Sequence, residues 1–343
     1  MPHAETGSTA PRRSPGQHRD HPASSPVLPA DRRPQPGPIA VLPTSNPRFE
    51  QAIVDGGGVV EPLSDRTRGI VWLSYQRAAE LETVLESHPD IGWVQLPWAG
   101  VDAFAPTLQR FANHPVPLWT SAKGTFSEPV AEHALALTLA LLRDLPQKAR
   151  ATRWASVDTG RSLYGRNVVI VGAGGIAIEL MRLLSVFEPT ITVVRRSAEP
   201  VPGAHHTTTP DHLLEVLASA DVVVLAAAST DGTRHLIGAT ELAAMQSTAV
   251  LVNIARGALI DTDALVDALR SGSIAGAGLD VTDPEPLPEA HALWAEERCI
   301  ITSHSADTPD MTAPLLADRI RTNVEALLDH GRFAGVVDTK AGY

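Results

Sequence analysis

Short apolar runs alternate with longer segments of helical character along the chain from residue 39 onward. In the first part of the chain, the apolar runs predict strands, and the segments between them space their apolar residues as a helix does. The strands are predicted over 39–43, 69–74 and 91–100, and the helices over 47–57 and 78–89. Strands that alternate with helices are typical of βαβ units with a parallel sheet.

The second part of the chain repeats this alternation on a larger scale. Five further apolar runs predict strands over 167–175, 190–196, 221–227, 248–254 and 273–280. The apolar helices predicted between them cover 176–184, 211–219 and 262–270. We therefore expect the α/β fold class, with a doubly wound parallel sheet of the nucleotide-binding kind.

Two longer helical segments frame this second part. Segment 128–155 carries apolar residues more densely than a single stripe requires, so we expect a long helix that is buried on most sides and bridges two domains. The last segment, 310–331, predicts another helix that ends at a glycine.

Residues 1–37 show no apolar periodicity and are rich in proline. Residues 1–38 hold nine of the 28 prolines and no aromatic residue. Such a segment buries too little apolar surface to offset the entropy of ordering it. We expect residues 1–37 to be a disordered tail or a misassigned start, and not a signal peptide, because the charged start is followed by no apolar stretch.

Composition narrows the classes of function. The 343 residues carry a net charge of −11 and one cysteine, Cys299. The acidic balance argues against a nucleic-acid partner, and no apolar run approaches the ~18 residues of a membrane span. One cysteine excludes a disulfide framework and a cysteine zinc cluster. We expect no metal site, no membrane contact and a cytoplasmic location.

A glycine-rich turn marks the expected cofactor site. GAGGIA at 172–177 follows an apolar run, precedes a helical segment and fits the pattern G-x-G-x-x-A. The first glycine allows a tight turn, the second lets the backbone approach a pyrophosphate, and Ala177 allows close packing of helix on strand. The N–H groups at the helix start then stabilise the phosphates. The cofactor contacts expected here are Gly172, Gly174, Gly175 and Ile176.

The end of the second strand of this unit distinguishes NAD from NADP. NAD sites place Asp or Glu there to hold the ribose hydroxyls. This chain has Arg195, Arg196 and Ser197 instead. Two guanidinium groups suit a 2′-phosphate, which favours NADP(H) as cofactor and leaves NAD(H) possible. The alternative is a solvated basic loop without a cofactor role.

Three polar residues each follow a different predicted strand: Arg256 in NIARG (253–257), Glu285 in LDVTDPEPLP (279–288), and His304 in CIITSHSA (299–306), which begins with one more predicted strand. In open α/β sheets, ligands bind at the edge where the strands end. Each residue alone also has an ordinary explanation: Arg256 as part of a surface ion pair, Glu285 as part of a solvated turn, and His304 as a core histidine. Together they suit the reduction of a 2-oxo acid. Arg256 supplies a bidentate cation and His304 a proton, Glu285 orients the imidazole and favours its protonated form, and a nicotinamide supplies the hydride.

The motifs around these residues resemble those of the D-isomer-specific 2-hydroxyacid dehydrogenases, which include glyoxylate/hydroxypyruvate reductases. The resemblance runs from Ile39 to Tyr343. It is clearest in VVIVGAGGIA, LVNIARGALID, GAGLDVTDPEPLP and TSHSADTP. VAEHALALTLALLR and PWAGVD also look like segments of that family.

The resemblance implies a role for each group of residues. The catalytic residues that it implies are Arg256, Glu285 and His304. The further cofactor contacts that it implies are Ile254, Ala255 and Asp280, the last of them to the nicotinamide carboxamide. The substrate contacts that it implies are Arg256 and the backbone N–H groups of Ala99, Gly100 and Val101.

The resemblance also implies a domain arrangement and an activity. A Rossmann-type doubly wound parallel sheet domain, 129–302, is inserted into a smaller flavodoxin-like α/β substrate domain formed by 38–128 and 303–343. The implied enzyme transfers hydride between NAD(P)H and a small 2-oxo acid, with glyoxylate or hydroxypyruvate favoured. Such enzymes are usually homodimers.

Four positions depart from the family pattern. Ala177 stands in place of the third glycine of the turn, which is a tolerated variant. Ser303 stands where a proline usually precedes the histidine, Ala228 also replaces a usual proline, and Thr282 replaces a common aromatic residue. None of these changes removes a group that the mechanism needs. Two alternatives stay open: a nucleotide-sensing binding module like the corepressors that share this fold, and a catalytically idle member of the family.

Overall fold

A small parallel sheet forms the N-terminal part of the computed structural model, which describes residues 27–114, 116–154 and 159–339. Its strands, in spatial order, are β1 (Ile39–Leu42), β2 (Gly69–Trp72), β3 (Trp93–Gln95) and β4 (Leu118–Thr120). The helices between them are α1 (Pro47–Asp55), α2 (Ala78–Ser87) and α3 (Ala105–Phe111). The strand predicted over 91–100 ends at Gln95, so its second half is a loop. β4 and α3 were not predicted.

Two isolated bridges extend this sheet on either side. Ile39 pairs in parallel with Val60, and Thr120 pairs antiparallel with Val336. Counting Val60 as a strand, the order across the sheet is second, first, third, fourth and fifth along the chain, which is the flavodoxin-like order. The bridge to Val336 brings the C-terminal part of the chain back to this sheet.

A larger sheet of seven parallel strands follows. The strands are β5 (Asn167–Val171), β6 (Thr190–Val194), β7 (His206–Thr208), β8 (Val222–Leu225), β9 (Val250–Asn253), β10 (Gly276–Leu279) and β11 (Cys299–Ile301). The helices that accompany them are α6 (Gly175–Leu184), α7 (Leu213–Leu217), α8 (Ala239–Ala244) and α9 (Thr262–Ser271). The strand order β11-β10-β9-β8-β5-β6-β7 confirms the doubly wound fold. β8 and β9 are buried along their whole length, because helices cover both faces of the sheet.

The long helix predicted over 128–155 is shorter than expected. It consists of α4 (Ser127–Leu142) and, after a break, α5 (Leu145–Ala149). Asp144 between them has a φ of 51°, in the left-handed region, which ends the helical hydrogen-bond ladder. α4 packs closely against α6, in keeping with its dense apolar surface. No helix in the described part of the chain is long and apolar enough to cross a membrane.

The helix predicted over 310–331 is confirmed and connects the end of the chain to its beginning. It comprises α10 (Pro309–Glu325) and a further π-helical turn, Ala326–His330, before Gly331. α10 packs against α1, which flanks the small sheet. The chain therefore returns to its first sheet after completing the second.

The prediction of a disordered tail over residues 1–37 requires a correction for 27–37. Leu28 packs at the edge of the main core, and its N–H donates to the Gly331 carbonyl at 3.0 Å. Arg33 Nε donates to the Leu28 carbonyl at 2.9 Å, and Pro34 lies against Gly92. One apolar residue and these backbone bonds anchor a segment whose composition alone indicates disorder. Residues 1–26 lie outside the described residues.

Candidate active site

The glycine turn lies between β5 and α6. Gly172 has a φ of 111°, and a Cβ there would overlap the Ala226 carbonyl, so both conformation and space require glycine. The Gly172 N–H donates to the Val194 carbonyl at 2.8 Å and ties the turn to β6. Gly174 is the N-cap of α6, and a Cβ built there would meet no atom within 4 Å. The turn is held on one side and open at the helix N-terminus, as a bound pyrophosphate requires.

The other small residues of the turn bring α6 against its neighbours. A Cβ at Gly175 would overlap the Ser127 Oγ at the start of α4, and Ala177 is fully buried. Ile176, between them, is half-buried against the main core. Gly175 and Ala177 therefore serve close packing of α6, whereas the open position is Gly174.

Arg195, Arg196 and Ser197 follow β6, beside the glycine turn. β6 pairs with β5 along its whole length, so the ends of both strands share one edge of the sheet. The Arg195 N–H donates to the Thr208 carbonyl at 2.9 Å. The Ser197 Oγ is buried and lacks a hydrogen-bond partner among the described residues. The buried hydroxyl and the two arginines therefore lie at the same sheet edge as the open glycine turn, where a bound dinucleotide would reach them.

Arg256 follows β9, and hydrogen bonds fix both its backbone and its guanidinium. The buried Asn253 side chain donates to the Arg256 carbonyl at 2.8 Å and accepts from the Ala255 N–H at 3.1 Å. Arg256 Nη1 donates to the Ala255 carbonyl at 2.7 Å, and its Nε and Nη2 donate to Asp102 Oδ2 at 3.3 and 2.9 Å. Ile254 and Ala255 are buried in this turn.

The predicted carboxylate loop lies directly against Arg256. Ala99, Gly100 and Val101 follow β3, with Ala99 exposed and Val101 buried. A Cβ at Gly100 would overlap Arg256 Nη2, so the guanidinium occupies the space that glycine leaves open. The structure thus brings the 99–101 loop, which follows a strand of the small sheet, into contact with the Arg256 guanidinium, which follows a strand of the large sheet.

His304 and Glu285 form the second half of the site. His304 Nδ1 lies 2.6 Å from Glu285 Oε1, and the two side chains are 52% and 43% exposed. The contact leaves Nε2 of His304 for a ligand. Glu285 follows β10, the neighbour of β9, and His304 follows β11, the neighbour of β10. A Cβ at Gly257 would overlap the Thr282 carbonyl, so the turn after Arg256 packs against the loop that leads to Glu285.

Asp280 is buried and clamps the loop that carries His304. Its Oδ1 accepts from Thr302 Oγ1 at 2.6 Å and from the Ser305 N–H at 2.9 Å, and its Oδ2 accepts from the Ala306 N–H at 3.1 Å. The Asp280 carbonyl accepts from the His304 N–H at 2.7 Å. These bonds hold His304 at a φ of 49°, a conformation that few non-glycine residues adopt. The contact of Asp280 with a nicotinamide carboxamide stays a prediction.

His133 on α4 supports this clamp from behind. Its Nε2 lies 2.9 Å from Thr302 Oγ1, whose own hydroxyl donates to Asp280. The distance from His133 Nε2 to Asp280 Oδ1 is 3.6 Å. The helix beside the glycine turn therefore also helps to position the loop of the candidate proton donor.

Two further ionisable groups lie near the candidate catalytic residues. Burial raises the pKa of Tyr75, the nearby Asp102 charge raises it further, and Arg256 opposes the rise. Burial likewise raises the pKa of Asp307, against the lowering effect of His304. Tyr75 is 39% exposed, and its ring meets Phe104 edge to face. Tyr75 therefore lies close to the groups of the site.

Three residues of the site were missed from the sequence, namely Asp102, His133 and Thr302. All three lie inside motifs that carry the family resemblance, PWAGVD, VAEHALALTLALLR and TSHSADTP. Their position next to candidate residues was the available signal.

No group of side chains suited to a metal ion occurs among the described residues.

Comparison with known proteins assigns the chain to a family. Residues 135–306, half of the chain, match the model of the D-isomer specific 2-hydroxyacid dehydrogenase, NAD binding domain. The chain belongs to the D-isomer specific 2-hydroxyacid dehydrogenase family. Members of this dehydrogenase family are oxidoreductases that use a nicotinamide cofactor, so the expected fold and enzyme class are confirmed.

Individual relatives support the assignment. The dehydrogenase is 36% identical over 297 residues to an uncharacterised protein of Corynebacterium melassecola, covering 85% of this chain and 95% of that protein. It is 34% identical over 222 residues to a glyoxylate reductase of Aeropyrum pernix, covering 60% of this chain and 65% of that enzyme.

A solved structure extends the likeness to nearly the whole chain. The D-isomer specific 2-hydroxyacid dehydrogenase of Xanthobacter autotrophicus Py2, in complex with NADPH and MES, superposes with a TM-score of 0.75 and 26% identity. The superposition covers 90% of this chain and 100% of the chain of the Xanthobacter enzyme.

Proposed function

We propose that this dehydrogenase reduces small 2-oxo acids to 2-hydroxy acids with NAD(P)H, and that glyoxylate and hydroxypyruvate are its first candidate substrates. The observation that carries the proposal is the meeting of Arg256, the 99–101 loop and the His304–Glu285 pair at the sheet edge that also carries the glycine turn. A glyoxylate reductase of Aeropyrum pernix, of which 65% of the length aligns with this chain, supports the choice of substrate.

The chain's own residues divide the work of such a reduction. The N–H groups of residues 99–101 and the Arg256 guanidinium hold the substrate carboxylate and polarise its carbonyl. Glu285 holds His304 Nδ1 at 2.6 Å, so Nε2 is the atom that delivers the proton to the carbonyl oxygen. A reduced dinucleotide whose pyrophosphate is held at the glycine turn would supply the hydride from its nicotinamide.

The domain division is part of the proposal. Residues 38–128 and 303–343 form the substrate domain, and 129–302 form the nucleotide-binding domain inserted into it. Its support is the presence of two separate sheets and the packing of α10 against α1. Residues 340–343 lie outside the described residues. Homodimeric assembly and a cytoplasmic location stay predictions.

Turnover across a substrate panel tests the activity. Oxidation of NADPH and of NADH is followed at 340 nm with glyoxylate, hydroxypyruvate and a series of longer 2-oxo acids. We expect turnover with the two short substrates. Silence with every acid, while the cofactor still binds, would contradict the proposal and favour a nucleotide-sensing or idle member of the family.

We propose NADP(H) as the preferred cofactor, on the two arginines and the absence of a carboxylate at 195–197. Replacing Arg195 by glutamine should raise the KM for NADPH by about tenfold or more, because a charge-assisted hydrogen bond to a phosphate is lost. The KM for NADH should not change, since NADH lacks the 2′-phosphate, and it serves as the control within the same variant. An equal change for both cofactors would contradict a phosphate contact.

A further inference from the structure

We propose that Asp102 is a positioning residue that aims the Arg256 guanidinium at the substrate. The inference deepens the proposed function and rests on it, because that function makes Arg256 the cation that meets the substrate. Asp102 belongs to the small sheet's part of the chain and Arg256 to the large sheet's part, 154 positions away.

The proposal begins with the donors of the guanidinium. A guanidinium has five N–H donors. Asp102 Oδ2 takes one from Nε and one from Nη2, and the Ala255 carbonyl takes one from Nη1. One donor on each terminal nitrogen remains, which is a pair suited to two oxygens of a 2-oxo acid. Asp102 and Ala255 together fix the plane in which this pair lies.

Asp102 is well placed to act as a fixed support. It opens the short helical turn Asp102–Phe104, and Phe104 is fully buried. It also directly follows the carboxylate loop, whose Gly100 leaves the space that Nη2 of Arg256 occupies. One short segment therefore supplies the backbone N–H groups for the substrate and the carboxylate that orients the arginine.

The exposure of the pair argues against a mainly stabilising role. The side chains of Arg256 and Asp102 are 35% and 48% exposed. Ion pairs in such surroundings contribute little to stability. Arg321 and Asp318 on α10 form a comparably exposed pair, 38% and 52%, with an Nη2–Oδ1 distance of 2.6 Å, and Arg321 Nη1 also donates to Glu325 Oε1 at 2.5 Å. This second pair provides a matched control outside the site.

The charge of Asp102 separates a positioning role from a binding role. Its carboxylate stands beside the place where an anionic substrate binds, and like charges repel. Removing the charge by Asp102→Asn should therefore leave the KM for glyoxylate unchanged or lower it. The loss should appear in kcat, because a guanidinium without its support no longer holds the carbonyl in the reactive orientation.

Steady-state kinetics of three variants test the proposal. We expect Asp102→Asn to lower kcat for glyoxylate by about tenfold with no rise in KM. Asp102→Glu, which keeps a carboxylate, should recover part of the loss, and Asp318→Asn should behave as the wild type. The melting temperatures of Asp102→Asn and Asp318→Asn should agree. An unchanged kcat in Asp102→Asn, or a loss seen only as a higher KM, would overturn the proposal.

Failure of this proposal can be told apart from failure of the function on which it rests. A wild-type enzyme that is silent on the substrate panel contradicts the function, whereas an active wild type with an unaffected Asp102→Asn variant contradicts only the role of Asp102.

Besides burial, the charge of Asp102 raises the pKa of Tyr75, while Arg256 opposes the rise and Glu285 adds to it. Asp102→Asn should therefore lower the pKa of Tyr75, which is measured from the absorbance at 295 nm. The same titration of Tyr75→Phe identifies the part of the signal that belongs to Tyr75. An unchanged titration would overturn the placement of Asp102.

Discussion

Replacing His304 by asparagine should lower kcat for glyoxylate reduction by about 10³-fold, because a positioned general acid contributes rate factors of that order. Asparagine is the informative substitute because His304 has a φ of 49°, and asparagine tolerates this conformation better than alanine does. The amide has no proton to give at neutral pH. The Kd for NADPH should stay unchanged, since the glycine turn lies on other strands.

A second histidine–glutamate pair provides the control for this variant. His212 Nδ1 lies 3.2 Å from Glu215 Oε2 at the start of α7, and both side chains are exposed. His212→Asn removes the same chemical group from the same kind of pair, and we expect wild-type kinetics. If His304→Asn keeps more than about a tenth of the wild-type kcat, His304 is not the proton donor.

The meeting of Arg256, Glu285 and His304 could be predicted from the sequence because it depends only on topology. Each residue follows a strand of one parallel sheet, and β9, β10 and β11 are neighbours in it. Parallel strands end at the same edge of the sheet, so three residues that are spread over 49 positions of sequence come together there. No side-chain detail is needed for this step.

Contacts between the two sheets could not be predicted in the same way. Asp102 reaches Arg256 only because of how the small sheet lies against the large one, and no local pattern encodes that placement. His133 is a different case, because it reaches Thr302 over 169 positions of sequence within the larger unit, where α4 packs against β9 and β10. The sequence marked the motifs that contain these residues, and the structure supplied the partners.

Local conformation explains the remaining differences. β7 was missed because its residues, His206–Thr208, are polar and at most half-buried at the edge of the sheet. The break at Asp144 was missed although Pro146 lies just beyond it; the positive φ of Asp144 stops the first helix, and Pro146 stands in the first turn of the next. Ser303, which lacks the stiffness of a proline, precedes a histidine that Asp280 and Thr302 already hold in place.

Arg256→Lys should lower kcat/KM for glyoxylate by about a hundredfold, although it keeps the positive charge. A lysine ammonium is a point charge without the planar fork. It cannot hold Asp102, the Ala255 carbonyl and two substrate oxygens at fixed angles, whereas Arg256 has a donor for each. Loss of one aligned donor to a developing oxyanion costs rate factors of this order. The Kd for NADPH should not change.

The double variant connects this result to Asp102. If Asp102 acts through Arg256, then adding Asp102→Asn to Arg256→Lys should lower kcat little further, because the group that Asp102 positions is already gone. Independent roles would instead multiply the two losses. Arg321→Lys, which disturbs the matched pair with Asp318 on α10, should leave kcat/KM unchanged. A wild-type kcat/KM in Arg256→Lys would mean that charge alone suffices and that the fixed guanidinium plane has no part in the reaction.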